Sequence, residues 1–426
     1  MKSLPQLVTL VIGLAACTGH AAESLSVVPD SAQALATAGG RIANLHDASA
    51  VRVAPANILQ ITEPEVLLNL AVWNGDIRVN SNTSGATKMT QSWIYPGSIY
   101  AVLPVVPDKV ALGFGISTPF GLAFTFPKEM PVGPGVGAGL RHNLPYEARL
   151  MAVDFTPAVA FRVTDTLTMA AGLDIVYSQF TMGRIYPWSA WPPAVEDGEI
   201  QIKGDGWGLG GYLGANWEFA PGHRLGVIGR LPIKVKYSGR TETVNMPGAN
   251  AGLLAAGANS TSSFDTDMTF PGSIAVGYGV DVTDRLTLGF DFQWSDNSSH
   301  DDIPLNLGEN QPLLFGQNAA VLGWKDSIDL GFGATYKLDR IWSLRCGYLF
   351  SENSQPEDNY LPSAAGNDRH VFGVGVGWKG KTRSVDLSYA FVFNPTRTIG
   401  SAATPAFNGT YKHQWHVVSL SLTQRF

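Results

Sequence analysis

Three cationic residues stand at even-numbered positions of one largely apolar stretch of the chain. Between Leu225 and Tyr237 the odd positions are mostly apolar, whereas the even positions include Arg230, Lys234 and Lys236. Alternate residues of a β-strand project from the same face, so the pattern predicts a strand whose inward face is cationic. Such a face could bind the carboxylate of a ligand through charge-assisted hydrogen bonds. Equally, these could be ordinary polar-face charges, balanced by carboxylates elsewhere in the chain, for which the candidates are Asp291, Asp329 and Asp386.

The sequence offers little for catalysis or for metal binding. His46 and Asp47 are adjacent and have serines nearby, but a Ser/His/Asp set is recognised by its geometry and this spacing indicates none. His413 and His416 are three positions apart, so on a strand they would face opposite sides and could not bind one metal ion together. We therefore expect no enzyme activity, no cofactor and no metal site, and we assign no catalytic residue.

Composition restricts the class of protein. Charged residues make up 15% of the 426 residues, against roughly 25% in an ordinary soluble protein. No internal stretch reaches the run of about 18 uncharged apolar residues that a membrane-spanning helix requires. A weakly charged chain with 47 glycines is typical instead of a large β-barrel in a membrane. The scattered Lys and Arg residues and the net charge of −6 argue against a nucleic-acid partner.

The connectors between apolar segments alternate in length from about Val66 onward. Six short turns and seven long loops separate segments of period-two hydrophobicity, which implies an even number of strands, fourteen. The predicted fold class is therefore all-β: a 14-stranded antiparallel transmembrane β-barrel over residues 66–426, with both chain ends on the periplasmic side. The same alternation places Cys346 on the lipid face.

The first residues indicate export. Met1-Lys2 is a positive start, Leu7 to Ala16 is an apolar stretch of suitable length, and Gly19-His20-Ala21 is a small-residue cleavage site. Residues 1–21 are therefore predicted to be a secretory signal peptide. The alternative is a lipoprotein signal, because Leu14 to Cys17 is similar to the motif in which the cysteine becomes the lipidated first residue.

Residues 22–65 do not follow the strand pattern. Ala32 to Ala38 is typical of a short helix that Gly39-Gly40 would end, and several apolar side chains follow it. A segment of this length could either extend into the periplasm or fold into the lumen. Its apolar residues make a solvated tail unfavourable, so we predict an N-terminal plug, or hatch, inside the lumen.

The predicted third strand, Asp108 to Phe126, contains a residue set that does not suit a continuous ladder. Five residues interrupt it near its middle: Ser117, Thr118, Pro119, Phe120 and Gly121. Proline cannot donate a ladder hydrogen bond and glycine weakens a strand. We expect a β-bulge here, or an opening in the wall.

Several segments, in this order and spacing, resemble the FadL family of bacterial outer-membrane proteins. The segment Ser49 to Asn57, which contains Ala54, Pro55 and Ala56, is similar to the plug motif of that family. Further similarity lies in Tyr146 to Phe161, Pro271 to Trp294 and Trp324 to Tyr348. The sequence departs from the family at Ala54, where the family usually has Asn, so a plug contact made by that side chain is in doubt.

The resemblance implies a fold, a function and a location. The implied fold is a 14-stranded barrel with an N-terminal hatch in the outer membrane of a Gram-negative bacterium. The implied function is passive transport of long-chain fatty acids or, in one branch of the family, of aromatic hydrocarbons such as toluene and xylene. Ligand would be captured among the external loops, bind in the lumen and leave sideways into the membrane at a kink in the third strand, here Ser117 to Gly121. A fatty acid would need a cation for its carboxylate, for which Arg230, Lys234 and Lys236 are the candidates.

Two other functions compete with hydrophobic transport: a general porin and an outer-membrane lipid hydrolase. A plug and apolar loops disfavour a porin, and the absence of a recognisable catalytic set disfavours a hydrolase. The expected partners are outer-membrane lipid, a hydrophobic small molecule such as a long-chain fatty acid, and the barrel insertion machinery. The last of these is expected because Phe426 ends a stretch with the alternation of a final barrel strand. We expect a monomer.

Overall fold

A computed structural model describes residues 30–90, 93–134, 139–190, 196–299, 302–304, 306–308, 319–362 and 366–426. The expected signal peptide, Cys17 and the first part of the expected plug lie outside these ranges. No helix within them is long and apolar enough to cross a membrane.

Fourteen long strands form the wall of the molecule. Two of them, β7 and β8, are interrupted for two residues each. The strands are β1 (Glu65–Ser81), β2 (Gly97–Val106), β3 (Val110–Thr125), β4 (Glu147–Arg162), β5 (Leu167–Tyr186), β6 (Gly198–Ala220), β7 (His223–Arg230 and Ile233–Val244), β8 (Thr261–Phe270 and Ser273–Asp281), β9 (Leu286–Ser295), β10 (Ser327–Lys337), β11 (Trp342–Ser351), β12 (Arg369–Lys379), β13 (Arg383–Ile399) and β14 (Gly409–Arg425).

The sheet is antiparallel and closes on itself. Every residue of β1, from Glu65 to Ser81, pairs with a residue of β14, from Arg425 to Gly409. Because the first strand pairs with the last, neither is a free edge strand, as a barrel in lipid requires. The predicted 14-stranded antiparallel barrel is confirmed. In the part of the chain that the structure describes, the loops add five short strands, Gly85–Lys88, Trp93–Ile94, Asp302–Pro304, Asn306–Leu307 and Ala319–Val321.

Side chains alternate between two faces along each strand. On β6, Trp207, Leu209 and Leu213 are each more than half exposed on the outer face, whereas their neighbours Gly208 and Tyr212 are buried on the inner face. Exposed apolar side chains in this arrangement form the outer band that contacts lipid. Cys346 is exposed in the same band, as its parity predicted.

The N-terminal helical segment, residues 30–61, lies in the lumen. It contains α1 (Ala32–Thr37), α2 (Arg41–Asn44), α3 (Ala50–Val53) and a 3₁₀ helix (Pro55–Gln60). Its helices contact inward faces on opposite sides of the barrel: α1 packs on β12 and β13, and the 3₁₀ helix packs on β4 and β5. We call residues 30–61 the lumenal segment.

Glycines allow the lumenal segment to approach the wall closely. A Cβ atom on Gly226 of β7 would lie 2.7 Å from the carbonyl oxygen of Ile42, and one on Gly331 of β10 would lie 2.7 Å from the Cα of Gly39. Any larger residue at these positions would displace the segment from the wall. Part of the high glycine content therefore serves contact between the wall and the lumenal segment.

The other short helices of the described residues are in the loops. Two are α-helical, α4 (Leu140–Asn143) and α5 (Ala251–Ala255), and three are 3₁₀ turns, Trp188–Ala190, Asn297–Ser299 and Pro405–Phe407. Long loops and short turns alternate around the barrel as the sequence predicted.

Candidate functional site

The expected irregularity in β3 is a one-residue bulge. Ser117 pairs with Asp154 of β4 and Phe120 pairs with Ala152, so Thr118 and Pro119 together face only one β4 residue. A bulge of this kind reverses which residues point inward. Below it, odd positions such as Ala111 are buried, and above it the even positions Phe120 and Phe124 pack in the lumen.

The bulge coincides with a break between β2 and β3. Their ladder ends at the pair Ile99 and Ile116, and the next backbone contact is the hydrogen bond from Thr90 N to Thr125 O, at 2.7 Å. Between these points, among the residues that the structure describes, β3 has no ladder partner in β2. On the β2 side, Trp93 and Tyr95 border this gap and each is about half exposed.

A cluster of packed apolar side chains, which we call the apolar chamber, lies inside the barrel next to the bulge. Phe120 of β3 stacks on Phe270 of β8, with ring centroids 4.4 Å apart and ring planes 9° apart. Phe120 therefore reaches a strand five positions away around the wall. The other side chains of the chamber are Leu150, Ala152, Val176, Ile233, Val235, Tyr237, Met268, Leu322 and Trp324, with Phe180 and Leu361 packed against them.

The wall has a second irregularity where β7 and β8 are interrupted side by side. Arg230 pairs with Ser273 and Ile233 pairs with Phe270, while the two residues between them on each strand leave the ladder. Pro232 and Pro271 are in this break, and neither can donate a backbone hydrogen bond. Relative to β6, β7 has one extra residue here, so its parity reverses.

This reversal makes one sequence prediction wrong. Lys234 and Lys236 do not face the lumen; both are exposed on the outer face, where Lys236 pairs across the ladder with the exposed Trp207. Lys234 forms an ion pair with Asp267, with Nζ and Oδ2 2.6 Å apart. The odd positions Ile233, Val235 and Tyr237 point into the apolar chamber instead.

Arg230 precedes the break and does face the lumen. Its guanidinium pairs with Asp174 of β5, donates to the carbonyl oxygen of Arg52 in the lumenal segment, and lies 4.3 Å from the ring centroid of Tyr212. Arg230 is thus already bonded, and it joins the wall to the lumenal segment.

A charged network surrounds this contact below the chamber. Arg52 pairs with Asp30 at 3.1 Å and lies 4.0 Å from Asp154 of β4. The Tyr100 hydroxyl donates to Asp30 at 2.7 Å. Asp154 and Asp174 are almost completely buried, and each has one side-chain oxygen without a hydrogen-bond partner. In the sequence, Asp154 and Asp174 are recognisable only as carboxylates at inward positions of predicted strands. That position by itself does not indicate which residue each one pairs with.

The residues of the plug motif lie in the middle of the lumenal segment. Ala54 ends α3, and Pro55 and Ala56 begin the 3₁₀ helix; all three are buried. Pro55 packs against Gly214 of β6. The neighbouring Asn57 donates to the carbonyl oxygens of Ile42 and Leu45 and accepts from Asn216 of β6. Asn57, more than Ala54, makes the polar contacts that hold this part of the segment.

Asp47 is a second polar centre in the lumenal segment. Its carboxylate accepts hydrogen bonds from Ser31 Oγ at 2.8 Å and from Ser49 N at 2.9 Å. Burial raises the pKa of Asp47 from 3.8 to about 6, against the lowering effect of the bonds from Ser49 and Ser31. The serines near His46-Asp47 thus belong to a hydrogen-bond network that orders the segment.

A closed antiparallel barrel with an apolar outer band is the architecture of an outer-membrane β-barrel protein. The chain belongs to the outer membrane protein transport family (OMPP1/FadL/TodX), whose model matches residues 9–426. It is therefore an outer-membrane protein of a family of hydrophobic-compound transporters.

Individual relatives are distant in sequence but match most of the chain. A long-chain fatty acid transport protein of Escherichia coli is 21% identical, with 84% of this chain and 80% of that protein covered. The outer membrane protein P1 of Haemophilus influenzae is 23% identical, with 80% and 81% covered. A crystal structure of a Pseudomonas aeruginosa FadL homologue has a TM-score of 0.83 at 18% identity, with 95% and 100% covered. That of the Pseudomonas putida toluene transporter TodX has a TM-score of 0.71 at 14% identity, with 95% and 99% covered.

Proposed function

We propose that this protein transports long-chain fatty acids passively across the outer membrane and releases them sideways into the bilayer. The observation that carries the proposal is the break between β2 and β3, because it adjoins the apolar chamber at Phe120. A continuous hydrogen-bonded wall leaves no path from lumen to lipid. An apolar ligand that leaves through the break does not have to cross the lumenal segment, which in this proposal is part of the plug predicted over residues 22–65.

Capture begins at the external loops in this proposal. Trp188, Met246 and Ala258 form an apolar cluster in two of the long external loops, and Tyr186 and Leu253 pack against it. From there a ligand passes to the apolar chamber. The kink residues Ser117, Thr118, Pro119, Phe120 and Gly121 then form the edge of the exit.

Aromatic hydrocarbons are the second candidate substrate. The stacked rings of Phe120 and Phe270 give the chamber aromatic faces on which a flat apolar ligand could stack. Relatives of known structure include toluene transporters. Of the three cations first considered, only Arg230 remains a lumenal candidate for a carboxylate, and it is already paired.

The remaining expectations form part of the same proposal. We infer a non-enzymatic monomer, surrounded by outer-membrane lipid and delivered to the membrane by the barrel insertion machinery. Transport by this route needs no cofactor, because an apolar ligand moves down its own concentration gradient.

Deletion of Pro119 tests the lateral route. Removing this residue leaves Ser117 facing inward, Thr118 outward and Phe120 inward, so the side chains of both faces are retained. The deletion removes the extra residue of the bulge and the one residue there that has no backbone N–H. We expect the variant to fold, to bind oleate and to lose uptake. Uptake of labelled oleate and of toluene is measured in cells without their own transporter.

Deletion of Pro395 is the matched control. Pro395 and Thr396 form another one-residue bulge with a proline, between Asn394 and Arg397 of β13, and the ladder with β14 continues on both sides of it. This variant should retain uptake. Undiminished uptake in a correctly assembled Pro119 deletion would exclude the lateral route and favour passage through a displaced plug.

Uptake of toluene without uptake of oleate by the wild type would favour the second substrate.

A further inference from the structure

A narrow apolar slot lies in the lumen on the side away from β3. Leu35 and Ala38 of the lumenal segment form one wall of it, and Trp73, Leu349, Val371, Val392 and Val417 on the barrel strands form the other. The side chain of Arg369, the first residue of β12, is the only charged group that lines the slot. An apolar slot with one cation has the layout of a site for an amphiphile.

Arg369 is buried with few partners. The residue is 6% exposed, its Nη2 donates one hydrogen bond of 3.3 Å to Ser351 Oγ, and its Nε has no partner. Ser351 in turn donates to the buried Asp329, so this carboxylate is the nearest balancing charge of Arg369, on the other side of the Ser351 hydroxyl. No ion pair within 4.0 Å joins Arg369 to a carboxylate of the residues that the structure describes. A buried guanidinium with an unused donor is costly, and an incoming anion would remove that cost.

Three other lumenal arginines form ion pairs, although the Nε atoms of Arg41, Arg52 and Arg345 lack a partner as that of Arg369 does. Arg230 pairs with Asp174 and Arg345 pairs with Asp386 at 2.6 Å, while Arg52 pairs with Asp30. The unpartnered polar atoms that line the slot are Arg369 Nε and Trp73 Nε1, and both are N–H donors. Donors without acceptors favour a ligand that brings acceptor atoms.

We infer that Arg369 binds the carboxylate headgroup of a long-chain fatty acid whose alkyl chain lies along this slot. The inference rests on the proposed function and names the cation that the transport of an acid requires. Arg369 is at the external end of β12, and Gly373, four residues below it, contacts Leu35 of the lumenal segment. Four residues of strand span about 13 Å, which is shorter than the alkyl chain of oleate, so this stretch takes the headgroup, directed outward, and only the part of the chain next to it.

The slot has to widen when the ligand enters. As it stands it has room for about one water molecule. Leu35 is on the six-residue helix α1 and Ala38 directly follows it, whereas the opposing side chains are on strands fixed by ladders on both sides. Movement of α1 away from the wall is therefore the way in which a bound tail makes room for itself.

The experiment compares an acid with an alcohol of the same chain length. Binding of labelled oleate and of oleyl alcohol is measured on the purified full-length protein in amphipol, for the wild type, Arg369→Gln, Arg369→Lys and the control Arg345→Gln. The Arg369→Gln variant should bind oleate about 10- to 100-fold more weakly than the wild type, because it lacks the charge-assisted hydrogen bonds. Its affinity for oleyl alcohol should be unchanged. Arg369→Lys should recover part of the oleate affinity, and Arg345→Gln should retain it.

Each other outcome has a distinct meaning. Unchanged oleate binding in Arg369→Gln, equal losses for acid and alcohol, or an equal loss in Arg345→Gln would overturn the inference. If the single variant does not fold, Arg369→Gln with Asp329→Asn removes both charges and gives the same comparison. Failure of the wild type to bind either oleate or the alcohol would overturn the proposed function itself.

Discussion

At the scale of single residues, Arg230 is a structural link rather than a free ligand-binding cation. It joins the buried Asp174 to the backbone of Arg52. Arg230→Gln should lower the free energy of unfolding by about 3–5 kcal/mol, because it leaves a buried carboxylate without its partner. Lys234→Gln removes an exposed ion pair and should cost at most about 1 kcal/mol. Urea unfolding of the two variants in detergent checks this, and equal effects would contradict the assignment of faces on β7.

At the scale of an element, the lumenal segment should respond to pH through Asp47. Burial raises the pKa of Asp47 in the folded protein to about 6, above the ordinary value of 3.8 for this carboxyl group. The folded segment therefore binds the proton more tightly than the unfolded one. The contribution of Asp47 to the free energy of unfolding is then greatest below about pH 4, and it falls by about 3 kcal/mol as the pH rises to 6. Hydrogen exchange of α1 and α3 should show more protection at pH 4.5 than at pH 7.5. Asp47→Asn should lose this difference, and an unchanged pH dependence in that variant would exclude Asp47 as its origin.

At the scale of the whole molecule, the wall and the lumenal segment are separable. The ladder from β1 to β14 and back uses wall strands alone, so deletion of residues 30–61 should leave a heat-modifiable barrel. The emptied lumen should conduct ions in planar bilayers far more than the full chain does. The full-length protein is the control in the same bilayers. A deleted chain that assembles but conducts no better would mean that other parts of the molecule close the lumen.

The sequence by itself determined the class, the strand count and the position of the β3 irregularity. Period-two alternation depends only on neighbouring residues, and turn chemistry is local as well. Proline and glycine within a strand act on the backbone at their own position. These signals therefore survive without knowledge of the tertiary structure, and the kink around Pro119 lies where they indicated.

Tertiary structure alone decided which face of β7 meets the lumen. Its odd positions are apolar on both sides of the break at Leu231-Pro232, because they meet lipid below it and the apolar chamber above it. The alternation of apolar and polar residues continues through the break although the inward face changes there. Hydrophobic periodicity therefore could not show that Lys234 and Lys236 point outward. The pairing of Arg230 with Asp174 and the slot at Arg369 likewise join strands far apart in the chain. Such contacts arise only when the barrel closes, since closure sets which inward positions meet across the lumen.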